Sequence, residues 1–141
     1  VQGIRKLFSE RYRLQRFGRG GFIRLALRMQ APIVPCAIVG AEESMPMIAK
    51  SDFLARIIGI PYFPITPNML FLTPLLGLTG GLVPFPTKWT IQFGEPIHLP
   101  PDVRGAPDEE LKVNRYKEDI RNRLQEMING LVKKRKSVWF G

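Results

Sequence analysis

Two adjacent carboxylates, Glu42 and Glu43, follow directly on the apolar run Ile33–Val39 and the pair Gly40-Ala41. Acidic residues just past the carboxyl end of a buried strand are groups with which α/β enzymes build sites. Other reactive types are scarce. The chain of 141 residues has one histidine, His98, and one cysteine, Cys36. One imidazole and one thiol do not make a zinc-type site, so no metal is expected. A single cysteine also forms no intrachain disulfide. Cys36 sits within the apolar run and is expected to be buried and structural. Gly-x-Ser-x-Gly and phosphate-loop patterns are absent, which removes the hydrolase nucleophile elbow and the nucleotide loop.

The elements that position these residues start at Gly20. Gly20 to Gln30 has helical spacing, with Phe22, Ala26 and Met29 on one face and Ile23 and Leu27 beside them. Arg24 and Arg28 are four apart and suit the margin of that face. Ala31-Pro32 ends the helix, because a residue before proline is pushed out of the helical region. Ile33 to Val39 is then predicted as a strand covered on both faces. Pro35 has no N–H for a ladder, so the strand is an edge, bulged, or interrupted there. The Gly20-Gly21 pair reads as a turn, with anion binding by its backbone N–H groups as the alternative.

Further along, residues 44–59 read as a connection and a short helix with Phe53, Leu54, Ile57 and Ile58 in a stripe. From Ile57 to Thr87 there is no charged residue, but six prolines interrupt the stretch. They forbid the regular helix of roughly 20 residues that a membrane crossing needs. Two readings stand: a buried irregular layer over a cleft, or an apolar surface in a membrane interface made by Ile57, Ile58, Phe63, Met69, Leu70, Phe71, Leu75 and Leu76. Lys88–Gly94 alternates, with Trp89, Ile91 and Phe93 on the expected buried face of a strand. Pro100–Pro107 is a linker. A long helix is predicted from Asp108 to Lys134, with acids at its start and a stripe of Leu111, Tyr116, Ile120, Leu124, Met127 or Ile128, and Leu131. The fold class is α/β, a mixed sheet flanked by helices.

The net charge is +9, with eight basic residues against one acid in residues 1–28 and Lys133, Lys134, Arg135 and Lys136 near the end. Two basic ends around a near-neutral centre suit an anionic partner such as a phospholipid surface; a solvated tail is the plain alternative. Aromatics interleave with arginines in Leu7–Gly18, a pattern that can stack bases. No nucleic-acid-binding module accompanies it, and no nucleic acid is expected as a partner.

Several short motifs occur in order: Arg19-x-Gly21-Phe22, Leu25-Ala26-Leu27, Gln30-Ala31-Pro32-Ile33-Val34-Pro35, Val39-Gly40-Ala41-Glu42-Glu43 and Phe93-Gly94-Glu95-Pro96-Ile97. Together they resemble the second half of a domain of the lysophospholipid and glycerolipid acyltransferase superfamily, in its mono- and diacylglycerol acyltransferase-like branch. The resemblance extends to about residue 97. It makes residues 1–107 the C-terminal portion of one acyltransferase domain, and 108–141 an amphipathic helix and basic tail of that domain.

The resemblance carries expectations. The family's fourth motif corresponds to Val34-Pro35. Its third motif, Phe-Pro-Glu-Gly with a variable residue and then often a cation, would end on Val1 and Gln2. Substrate-binding residues are then Val1, Gln2, Val34 and Pro35. Gln2 in place of a cation points to a neutral acylglycerol acceptor rather than a phosphorylated one, unless Arg5 or Lys6 supplies the charge. The family's catalytic pair is His-x4-Asp, a base and its orienter. His98 and Asp102 have three residues between them and follow the closing strand, so they are not that pair. The catalytic His and Asp are expected before Val1, and this chain alone is expected to be inactive. The implied reaction moves a fatty acyl group from acyl-CoA or acyl carrier protein, as co-substrate, to a glycerolipid or lysophospholipid hydroxyl. Its setting is the membrane surface on the cytoplasmic side. A non-enzymatic peripheral membrane-binding module is the alternative.

Overall fold

The computed structural model describes residues 6–59, 63–101 and 109–139. It is a mixed α and β chain whose small sheets are antiparallel. The described residues form two compact units, one from residues 12–39 and 90–134 and the other from the rest.

In the first unit, helix α1 spans Gly21–Met29. Gly20 precedes it with φ +70° and lies so close to the last helix that an added Cβ would stand 2.8 Å from Val113 Cγ1. That glycine is a packing and turn residue. Gln30 ends α1 in the left-handed region and donates from its amide to the Leu27 carbonyl at 2.7 Å. The buried face of α1 is Ile23, Ala26 and Leu27, while Phe22 and Met29 are exposed. The expected face was therefore centred one position away from the true one.

Strand β1 is Cys36–Val39, the latter part of the predicted run. It pairs antiparallel with β2, Thr90–Phe93, with Cys36 opposite Phe93 and Ile38 opposite Ile91. Pro35 stops the regular ladder but still accepts from Gly94 N–H at 2.8 Å, and Ile33 and Ile97 then exchange two bonds. From Ile33–Ile97 to Cys36–Phe93 the β2 side carries one residue more, the count of a β-bulge.

One face of this pair, Ala37 and Val39, is buried against Ile128 and its neighbours. The other, with Cys36, Ile38, Ile91 and Phe93, is exposed. This corrects three expectations. β1 is covered on one face only, Cys36 is exposed, and Ile91 and Phe93 are on the open face rather than the buried one. In place of one mixed sheet, the described residues hold two separate antiparallel pairs. Periodicity reports apolar surface, and part of that surface has no cover among the described residues.

The last helix of the first unit spans Glu109–Lys134. Its buried positions are Val113, Ile120 and Ile128, with Tyr116 and Leu124 partly buried beside them; Leu111 is exposed. Val113 and Ile120 pack with Ile23, Ala26, Leu27 and Leu99 in one cluster, and Ile128 packs with Ala37 and Val39 in another. The helix also holds an extended segment through side chains. Gln125 donates to the Tyr12 carbonyl at 2.6 Å and accepts from Leu14 N–H at 2.7 Å. Arg121 donates to the Leu14 carbonyl at 2.9 Å. The amide of Gln125 thus satisfies backbone groups that a neighbouring strand would otherwise pair.

The second unit contains helix α2, Ala41–Ser44, strand β3, Ala49–Ser51, helix α3, Asp52–Ile58, strand β4, Phe63–Ile65, and helix α4, Pro67–Leu76. Strands β3 and β4 are antiparallel, with Lys50 opposite Pro64. Ser51 caps α3 by accepting from Leu54 N–H, and Thr66 caps α4 by accepting from Met69 N–H. Pro67 at the first turn of α4 has no N–H that needs a helical partner. A 3-10 turn, Gly77–Leu82, folds back on α4. No helix among the described residues is long and apolar enough to cross a membrane.

Candidate apolar binding groove

The first unit carries an open groove of about 360 Å³, lined by Phe17, Gly18, Phe22, Ile33, Val34, Pro35, Ile120 and Leu124. No charged side chain lines it. Each wall has a sequence reason. Ile120 and Leu124 come from the long helix one turn apart, and so share a face. Val34 and Pro35 come from the segment that the bulge and the missing proline N–H hold out of the regular ladder. Phe17 and Phe22 stand at the mouth of α1 with ring centroids 5.7 Å apart and planes at 87°, an edge-to-face pair. Pro35 is buried and Val34 is 49 % exposed, and both line the groove. Behind Pro35, a Cβ on Gly94 would stand 2.8 Å from Pro35 Cγ and 3.1 Å from Met127 Sδ, which fixes that wall.

Such a groove suits an apolar chain. Burial of methylene groups is favourable by ~0.8 kcal/mol each, and an uncharged lining adds no desolvation cost. The described walls are shaped to hold an apolar group; they bring no acid, base or nucleophile.

Of the expected site residues, Val34 and Pro35 line this groove, while Val1 and Gln2 lie outside the described residues. So do Asp102 and Asp108. His98 is exposed. Sequence pattern alone does not single out the aromatic wall, because Phe22 shares a helical face with Ala26 and Met29 and Phe17 falls in a basic segment. Their signal is two aromatics flanking a glycine turn at a helix start.

The two carboxylates after β1 do not form an open acidic site. In the second unit Glu42 pairs with Lys6, and Glu43 pairs with Arg135 at 2.6 Å. The Glu43 and Arg135 side chains are 4 % and 8 % exposed. Arg135 also donates to the Lys88, Ser137 and Val138 carbonyls. One of the four cations expected to form a basic surface is thus an internal tie for the C-terminal segment. Among the described residues, no cluster of three or more His, Cys, Asp or Glu could hold a metal ion.

No protein-family model matches the chain, and no solved structure matches it. It is similar to mycobacterial proteins that are named as uncharacterized. One, from Mycobacterium tuberculosis, is 46% identical over 99% of this chain and 38% of its own length. One from Mycobacterium bovis shows the same values. One from Mycobacterium leprae is 45% identical over 99% of this chain and 37% of its own length. The chain therefore spans less than two fifths of the curated relatives it matches, and nearly all of it is matched within them.

Proposed function

We propose that this chain is the lipid-binding part of an acyltransferase that moves a fatty acyl group from acyl-CoA or acyl carrier protein to a glycerolipid or lysophospholipid hydroxyl. The observation that carries the reading is the uncharged groove at Val34-Pro35, on the residues that resemble the family's fourth motif. The order of the short motifs supports it, and so does a lining fitted to an acyl chain. The setting is the cytoplasmic side of a membrane.

In this reading the acceptor oxygen bonds to the thioester carbonyl carbon, the C–S bond breaks, and the hydroxyl proton ends on the leaving thiolate. Val34, Phe22 and Leu124 hold the apolar chain and exclude water from its contact. The base that takes the proton is expected in the larger part of the longer protein, as a His-x4-Asp pair. An acyl-transfer assay with labelled acyl-CoA, on the polypeptide carrying both that pair and this chain, tests the reading. Transfer to an acylglycerol or a lysophospholipid is expected. No transfer to either, from acyl-CoA or acyl carrier protein, sinks it.

A further inference from the structure

Helix α4 is apolar nearly all round, and most of its large apolar side chains face outward. Leu70, Phe71, Pro74 and Leu75 recur at the spacing of one helical stripe, and they are the exposed side. Leu70, Phe71 and Leu75 are 73%, 68% and 78% exposed. The inward side carries Asn68 and Thr73 together with Met69 and Leu72. Asn68 is 0% exposed and donates to the Ser44 and Val83 carbonyls at 3.2 and 2.7 Å. Thr73 also turns a buried hydroxyl inward. The capping Thr66 is 4% exposed. The 3-10 turn against α4 continues the pattern outward with Leu82 and contains no charge.

We infer that the α4 surface formed by Leu70, Phe71, Leu75 and Leu82 lies in the interface of a lipid bilayer, with hydrocarbon as its outer neighbour. The large apolar side chains of α4 thus face outward while Asn68 spends its amide N–H groups on inner carbonyls, an arrangement that a nonaqueous neighbour favours over water. The helix has ten residues, about 15 Å, too short to cross and suited to shallow insertion. A lipid occupant fits better than a protein one because the segment 57–87 has no charged residue to form the polar rim of a protein interface. Basic residues begin outside it, at Arg56 and Lys88, where headgroup phosphates would meet them. This deepens the membrane part of the proposed function and rests on it only for the partner; acyl transfer is not required.

The test uses the single cysteine. A chain with Cys36→Ser and Phe71→Cys, and a second with Cys36→Ser and Leu75→Cys, each carry an environment-sensitive fluorophore on the new thiol. Both positions are exposed, so the label does not disturb packing. With phosphatidylcholine vesicles the emission should shift to the blue, be quenched by spin-labelled acyl chains, and persist in high salt. In the unlabelled protein, Leu75→Ser should weaken vesicle partitioning about tenfold. Vesicle binding with both labels still in water overturns the α4 surface but leaves a membrane protein held by its basic ends. No vesicle binding overturns both. A blue shift that appears without vesicles and grows with protein concentration assigns the face to a second copy and overturns the inference.

Discussion

The guanidinium of Arg135 donates to the Glu43 carboxylate at 2.6 Å, with both side chains almost fully withdrawn from water. Within one unit, the pair joins helix α2 to the segment that follows Lys134, 92 residues further along the chain. Removing one partner of such a pair strands the other charge in a dry site. Arg135→Met is expected to cost about 3–5 kcal/mol in urea unfolding. Arg135→Met combined with Glu43→Met should recover much of that loss. A single variant with an unchanged midpoint would show the pair to be solvated.

Gly40 is the second sensitive point. Its φ is +114°, and an added Cβ would stand 2.2 Å from the Lys88 carbonyl oxygen, a backbone atom with nowhere to go. Gly40→Ala should destabilise by about 2–3 kcal/mol. Gly130, inside the long helix with open space around it, behaves oppositely. Gly130→Ala should stabilise by about 1 kcal/mol through helix propensity. Thermal unfolding of the two variants reads both signs.

The phase of the long helix can be checked by truncation. Ile120→Ala should cost about 2–5 kcal/mol, because Ile120 is buried between α1 and the groove. Leu111→Ala, at an exposed position, should stay within about 0.5 kcal/mol. Denaturant midpoints decide between this phase and the one that includes Leu111.

Val34→Trp is the probe of the groove. The side chain is half exposed, so the fold should tolerate the larger ring, which then occupies the apolar space beside Phe22 and Leu124. In a polypeptide that also carries the proposed His-x4-Asp pair, transfer of long acyl chains should fall at least tenfold, and transfer of short ones less. Equal effects on both lengths would separate the groove from the acyl chain.

Cys36 is exposed on the open face of β1. An aromatic disulfide reagent should modify it in the native protein about as fast as in urea. Protection in the native state would show a cover over the sheet.

Much of this architecture was legible in the sequence. The helix ending at Ala31-Pro32, the strand closed by Gly40, the alternating strand before Gly94 and the long C-terminal helix all follow from local periodicity and proline chemistry. The break at Pro35 was legible too, and it takes the bulged form. Burial was less legible, because a run such as Val34–Ile38 has the same composition whether one face or two are covered. Which side of α4 faces inward depends on where Asn68 finds its carbonyls, at Ser44 and Val83, and no local pattern specifies that. Likewise nothing in Lys133–Lys136 marks Arg135 as the internal cation. The groove was half legible: Val34 and Pro35 were singled out, but the aromatic pair that completes it was not.

The close approach of Gly40 to Lys88 has a consequence for how such a chain can vary. Val39 and Thr90 are paired, so residues 40–89 leave and return at one doorway. Doubling the length of a segment tied off in this way costs only about 0.6 kcal/mol in closure entropy. Residues can therefore be added within the segment at little closure cost, provided that Gly40, which lets its ends touch, and Glu42 and Glu43, which pair with Lys6 and Arg135 from outside it, are kept.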